Sequence, residues 1–132
     1  MNSIVIDTNA YVAFLNGNKL CVNYIRSADE IILPSIVLGE IYYGIFRGTK
    51  KAENTKNLDG FLASPRVSIM HSDDKTAVSF GEIAAELANA GKPMQQNDIW
   101  IAALCKDLGK PLLTYDKGFE NIIGLKLLPV TS

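Results

Sequence analysis

Histidine and cysteine, the side chains behind most zinc sites and many nucleophilic centres, are nearly missing from these 132 residues. His71 is the sole histidine; it has no partner in spacing and reads as an ordinary surface or strand-end residue. Cys21 and Cys105 are the only thiols. Far apart and irregularly spaced, they read as small buried apolar residues in a reducing cytosol, not as a disulfide framework. An excess of charge is also missing. Thirteen Lys+Arg stand against 14 Asp+Glu for a net charge of -1, so no global basic field marks a nucleic-acid binder and any positive groove must be local. No apolar run is long enough to span a bilayer, and no charged-then-apolar leader opens the sequence. Internal repeats, low-complexity tracts and linkers are lacking too. The expectation is one soluble cytoplasmic domain, residues 1–132, with an ordinary 48% of apolar residues for its core.

What the chain does have is alternation. Short β-rich runs at residues 3–6, 30–33, 67–70, 111–114 and 125–128 are separated by longer segments with apolar residues every three or four positions. That pattern predicts an α/β fold, a mostly parallel five-stranded sheet with helices on both faces. The clearest helix is "SDDKTAVSFGEIAAELANAG", with the stripe Ala77, Phe80, Ile83/Ala84, Leu87, a cap at Ser72 or Asp73 and a stop at Gly91. "NDIWIAALCKDLG" follows the break at Pro93 and ends on Gly109, "PSIVLGEIYYGIFRG" runs from Pro34 to near Gly48, and "TKKAENTKNLDGFLAS" is a more polar helix. In open parallel sheets ligands bind outside the carboxyl ends of strands, where strand order reverses. An order of 3-2-1-4-5 makes the first and fourth strands neighbours and turns Asp7 and Asp116, just past their ends, toward one cleft.

Taken singly, the acids are ambiguous. Asp7 suits a helix N-cap as well as a functional role. Asp116 sits in the good turn sequence "TYDKG". Asp98 opens a helix, where the dipole favours a carboxylate, yet it stands three residues before Ile101 and seven before Cys105, on the apolar stripe, where an acid needs a partner. Glu40 projects away from the stripe Leu38, Ile41, Tyr42, Ile45, but its helix also carries Ile36 and Tyr43 and is apolar nearly all round; the pattern leaves it undecided. Gathered together, the acids say more. Two carboxylates about 4 Å apart repel by roughly 4 kcal/mol at an effective dielectric of about 20, so a cluster takes up protons or a cation. Hard oxygen ligands without a His or Cys pair suit Mg²⁺ or Mn²⁺ and not zinc.

The blocks "VIDTNAYVAFL", "PSIVLGEIYYG", "NDIWIAALCKDLGKPLLTYDKGF" and "LKLLPV" resemble those of PIN-domain proteins, in order and approximate spacing through essentially the whole chain. They are most similar to the ribonuclease toxins of VapBC-type toxin–antitoxin pairs. The resemblance implies a PIN-like three-layer sandwich and a metal-dependent endoribonuclease using Mg²⁺ or Mn²⁺. It places the acidic quartet on Asp7, Glu40, Asp98 and Asp116, with Thr8, Asn9, Asn97 and Thr114 as supporting hydrogen-bonding groups. It also implies an RNA substrate, a small antitoxin that blocks the cleft and pairing as a homodimer. Tyr115 departs from the basic or small polar residue that many relatives carry before the last Asp. Arg47, Lys50, Lys51 and Lys56 offer local positive charge for RNA, although interleaving with Glu53 also fits a solvated helix surface.

Two other classes compete. An aspartyl-phosphate phosphatase would use Asp7 as nucleophile, but position 9 is Asn where a second acid is needed, and no Lys is well placed. A receiver-like domain needs an acidic pair after the first strand, and the adjacent pair is Asp73-Asp74. The non-enzymatic reading is a catalytically silent PIN-like module that only binds partners.

Overall fold

The computed structural model describes residues 1–130. Its sheet is parallel and ordered β3-β2-β1-β4, from β1 (Ser3–Ile6), β2 (Glu30–Pro34), β3 (Val67–Met70) and β4 (Leu112–Leu113). β1 lies inside, with Val5 opposite both Ile32 and Leu112. All four of its residues are buried, which is why Ile4, Val5 and Ile6 run apolar without alternating, while the buried Ser3 hydroxyl donates to Glu30 Oε1 at 2.9 Å. Helices α1 (Thr8–Leu15) and α2 (Lys19–Ser27) connect β1 to β2, and α3 (Ser35–Arg47) and α4 (Lys51–Leu62) connect β2 to β3. The long return from β3 to β4 runs through α5 (Asp74–Asn89) and α6 (Gln96–Leu108). Because right-handed crossovers are the rule and this return travels in the opposite direction along the sheet, α5 and α6 cover the other face. The chain therefore reverses its winding between β1 and β4, and their carboxyl ends form the crevice.

The expected fifth strand is a correction: among the described residues the sheet has four strands. Residues 125–128 contribute an isolated parallel bridge, Leu127 to Leu112, in which Leu112 N donates to Lys126 O and Leu128 N to Leu112 O, both at 2.9 Å. β4 is two residues long, bounded by Pro111, which has no N–H to extend a ladder, and the incoming segment ends at Pro129. The position at the sheet edge is the expected one; the ladder is too short to make a strand.

The helices follow the sequence closely, with two rotations. In α5 Thr76 is buried and Ala77 exposed, against the expected stripe. Thr76 is drawn inward by a capping box: its N–H donates to Asp73 Oδ1 at 3.0 Å, and Asp73 N–H donates to Thr76 Oγ1 at 3.1 Å. In α3 the buried face is Val37, Ile41, Ile45, while Leu38 and Tyr42 are only half-buried. α6 ends on Gly109 at φ 64°, a left-handed cap that glycine adopts without a Cβ clash. No helix is long and apolar enough to cross a membrane, among the described residues.

Candidate active site

Asp7 follows the last residue of β1 and caps α1. Its Oδ1 accepts from Ala10 N at 3.0 Å, and its Oδ2 accepts from the Thr114 hydroxyl at the end of β4. Only 4% of Asp7 is exposed. The cap geometry and the strand end explain why a carboxylate sits here: the first N–H groups of α1 need an acceptor, and the crevice puts Thr114 beside it. Burial is also the main reason its pKa rises to about 6; the bonds from Thr114 and Ala10 pull the other way, and the charges of Asp98 and Asp116 push it up further.

The neighbouring groups join the elements around this carboxylate. Thr8 donates to Glu40 Oε1 at 2.8 Å, linking α1 to α3. Asn9 Oδ1 accepts from Tyr115 N at 3.0 Å, linking α1 to the segment after β4. Thr114 Oγ1 in turn accepts from Asp116 N at 3.0 Å. Asp116 caps the single 3₁₀ turn Lys117–Asn121 through Gly118 N at 2.8 Å, and Phe119, fully buried, anchors that turn to the core. Asp98 stands half-buried in the first turn of α6, after an N-cap residue, Gln95, that gives no side-chain cap. Its carboxyl is shifted upward by burial first, then by Asp116 and Glu40.

Asp7, Glu40, Asp98 and Asp116 line one open cleft of about 410 Å³, with Thr8, Asn9, Val12 and Gln95. No lysine or arginine is among these lining residues. Glu40, undecided from the sequence, reaches the cleft because Val37 and not Leu38 faces the core, which turns the buried face of α3 toward Glu40. Gln95 is a lining residue that the sequence analysis missed; its only signal is its place just before the α6 helix. Asn97 is exposed and does not line the cleft. Arg47, Lys50 and Lys51 do not line it either. Arg47 is seven residues beyond Glu40, about 10 Å along the helix axis, and it lies over the Tyr43 ring at 5.4 Å. Lys50 and Lys51 are exposed at the start of α4.

Oxygen donors dominate the site. The buried thiols beneath it are held protonated: burial, with the Asp7 charge second, pushes Cys21 up to about 11 and Cys105 to about 12. Such thiols offer no thiolate to a soft metal at neutral pH, whereas mutually repelling carboxylates favour a hard divalent cation. Among the described residues no three His, Cys, Asp or Glu side chains are grouped tightly enough to chelate one ion directly.

The PIN domain model matches residues 4–125. The chain is 30% identical over 129 residues to Ribonuclease VapC2 of Haemophilus influenzae, covering 96% of each. It is 26% identical over 129 residues to the tRNA(fMet)-specific endonuclease VapC of Shigella flexneri, again covering 96% of each. Among solved structures, VapBC2 from Rickettsia felis bound to a DNA fragment from their promoter superposes with a TM-score of 0.87 at 29% identity, over 96% of this chain and 97% of that one.

Proposed function

The chain belongs to the PIN-domain family, and on that premise we propose that it is a divalent-metal-dependent endoribonuclease, the toxin of a toxin–antitoxin pair, acting in the cytoplasm. The observation that carries the reading is the convergence of Asp7, Glu40, Asp98 and Asp116, from four separate parts of the chain, on one cleft without a basic side chain. A protein gains nothing in stability from such repulsion; it is useful to a cation and to what the cation holds.

The cation is Mg²⁺ or Mn²⁺, and when bound it supplies positive charge opposite the scissile phosphate and a more acidic water for attack. Asp7 and Asp98 would be the principal ligands, and Glu40 and Asp116, expected from the sequence to complete the set directly or through water, would do so through water at this spacing. Water in the shell suits the open spacing, since Mg²⁺ dehydrates reluctantly and usually keeps several of its waters. Asp7 meets it in a fixed orientation, because Ala10 N and the Thr114 hydroxyl hold both oxygens, and this keeps the ordering cost of binding low. Thr8 orients Glu40 in the same way. Four carboxylates balance two divalent ions, so a two-ion site is roughly neutral before an anionic substrate arrives. An open cleft at a strand-end crevice receives a single backbone strand, which favours single-stranded or loop RNA over regular duplex.

The named relatives are ribonucleases and the superposed structure is a VapBC complex, which supports a cognate antitoxin as partner; the homodimer is the assembly that the sequence resemblance implies. Tyr43 and Phe46, 63% and 64% exposed on α3, supply apolar surface for such contacts. An aspartyl-phosphate mechanism is disfavoured, since Asn9 is committed to Tyr115 and no lysine lines the cleft to steady a phosphoryl group. The test is cleavage of structured RNAs by inhibitor-free protein with Mn²⁺ or Mg²⁺. Asp7→Asn and Asp98→Asn should each lower the rate by about 10²-fold or more. Cleavage at equal rates by parent and variants would trace the activity to a contaminant and remove the assignment.

A further inference from the structure

Asp116 borders two cavities. One is the acidic cleft, and the other, of about 200 Å³, opens beside it, lined by Tyr115, Lys117, Glu120, Leu128, Pro129 and Val130. The walls of the second cavity are held from several sides. Tyr24 OH donates to Pro129 O at 2.8 Å, and Leu128 N donates to Leu112 O at 2.9 Å. Tyr115 is fixed at both ends, its N–H on Asn9 Oδ1 at 3.0 Å and its hydroxyl on Asn18 Oδ1 at 2.9 Å. The slot is therefore formed before anything enters it, and a ligand need not order it.

We infer that this cavity is a nucleobase subsite, receiving the base of a nucleotide next to the scissile phosphate; the inference rests on the nuclease reading above. The lining is mixed: Tyr115, Leu128, Pro129 and Val130 supply an apolar part that suits the face of a heteroaromatic ring, and polar groups make up the rest. Stacking on an aromatic side chain is how single-stranded RNA is commonly held. Lys117 adds a point charge for the linking phosphate. Two carboxylates, Asp116 and Glu120, stand on the lining. Asp116 is committed to the cation, whereas the Glu120 carboxylate only accepts hydrogen bonds and so favours bases that present an amino group over uracil, whose single N–H donor stands between two carbonyl acceptors. Tyr115 thus gains a role as the aromatic member of the lining.

The test uses short unstructured RNA oligonucleotides, intact or with an abasic ribose at either position flanking the cut, cleaved by the full chain with Mn²⁺. On one side of the cut, loss of the base should lower kcat/KM at least about fivefold, the low end for base–aromatic stacking. Val130→Trp, which fills the cavity, should bring the intact oligonucleotide down to the abasic rate while the melting temperature holds. If that variant unfolds, Tyr115→Leu at a half-exposed position carries the same expectation. Glu120→Gln should narrow the preference for amino-bearing bases over uracil. Equal rates for intact and abasic RNA on both sides would overturn the subsite and leave the nuclease standing, as would undiminished discrimination in folded Val130→Trp. Failure to cleave any RNA would overturn the nuclease reading and the subsite with it.

Discussion

Asp7 shows how a single residue can be both a structural cap and a liability. Its side chain satisfies the start of α1, yet burial lifts its pKa to about 6. Below the unfolded-state value of 3.8 both states are protonated and Asp7 contributes no difference. As pH rises through about 6 the folded protein must hold a buried charge that the unfolded chain solvates freely, which destabilises it by roughly 3 kcal/mol above that range. Asp98 is shifted in the same direction. Metal-free protein should therefore become more stable as pH falls from 7.5 to 5, as read by urea unfolding in chelator. Asp7→Asn should flatten that dependence and exceed the parent in stability at neutral pH. A parent whose metal-free stability is level across this range would contradict the burial of an ionising carboxylate here. The sequence left Asp7 open between an N-cap and a functional role, and the structure shows the cap; the hydroxyl of Thr114 against it was not legible, because 107 positions separate the pair.

At the scale of elements, the site is a set of ends. β1 delivers Asp7, β4 delivers Thr114, α6 opens with Asp98, and the turn after β4 carries Asp116. That turn has little regular structure of its own and depends on Phe119, which is fully buried. Phe119→Ala should cost about 3–5 kcal/mol in chemical denaturation. It should also weaken divalent-cation binding by releasing Asp116, whereas Phe119→Leu should keep most of both. Stability loss without any change in cation affinity would mean that Asp116 is positioned by Gly118 and Thr114 alone. Element starts and stops were readable where local chemistry decides them, as in the cap at Asp73, one of the two residues the sequence offered, or the stop at Gly109. The inward faces were less so. Leu38 and Val37 are equally apolar, and which one the α3 helix buries depends on the sheet beneath it.

On the scale of the whole molecule, the proposed function makes a cation part of the stable state of the active protein, because it would offset the unbalanced charge of the cleft. A ligand present at 100 times its Kd stabilises by about 2.7 kcal/mol. Saturating Mn²⁺ should thus raise the melting temperature of the parent measurably at neutral pH, and the rise should be lost in Asp98→Asn. An equal rise in both would place the ion elsewhere. Arg47 lies over the exposed Tyr43 ring and stays off the cleft, so no basic side chain of α3 offsets the acids there.

Alternation of short apolar runs with helical stripes determined the α/β class, whereas the sequence only supposed a sheet order, and the structure places β4 beside β1. Acids at strand ends and a helix start marked where chemistry could occur. These are local properties, set by backbone sterics and by which side chains each element can bury. The tertiary structure alone decided that Glu40 turns into the cleft through Thr8, that Gln95 joins it while Asn97 and the basic cluster do not, and that residues 125–128 make a bridge instead of a strand. Those outcomes depend on distances between residues remote in the chain, and a linear pattern carries no information about the rotation of one packed element against another.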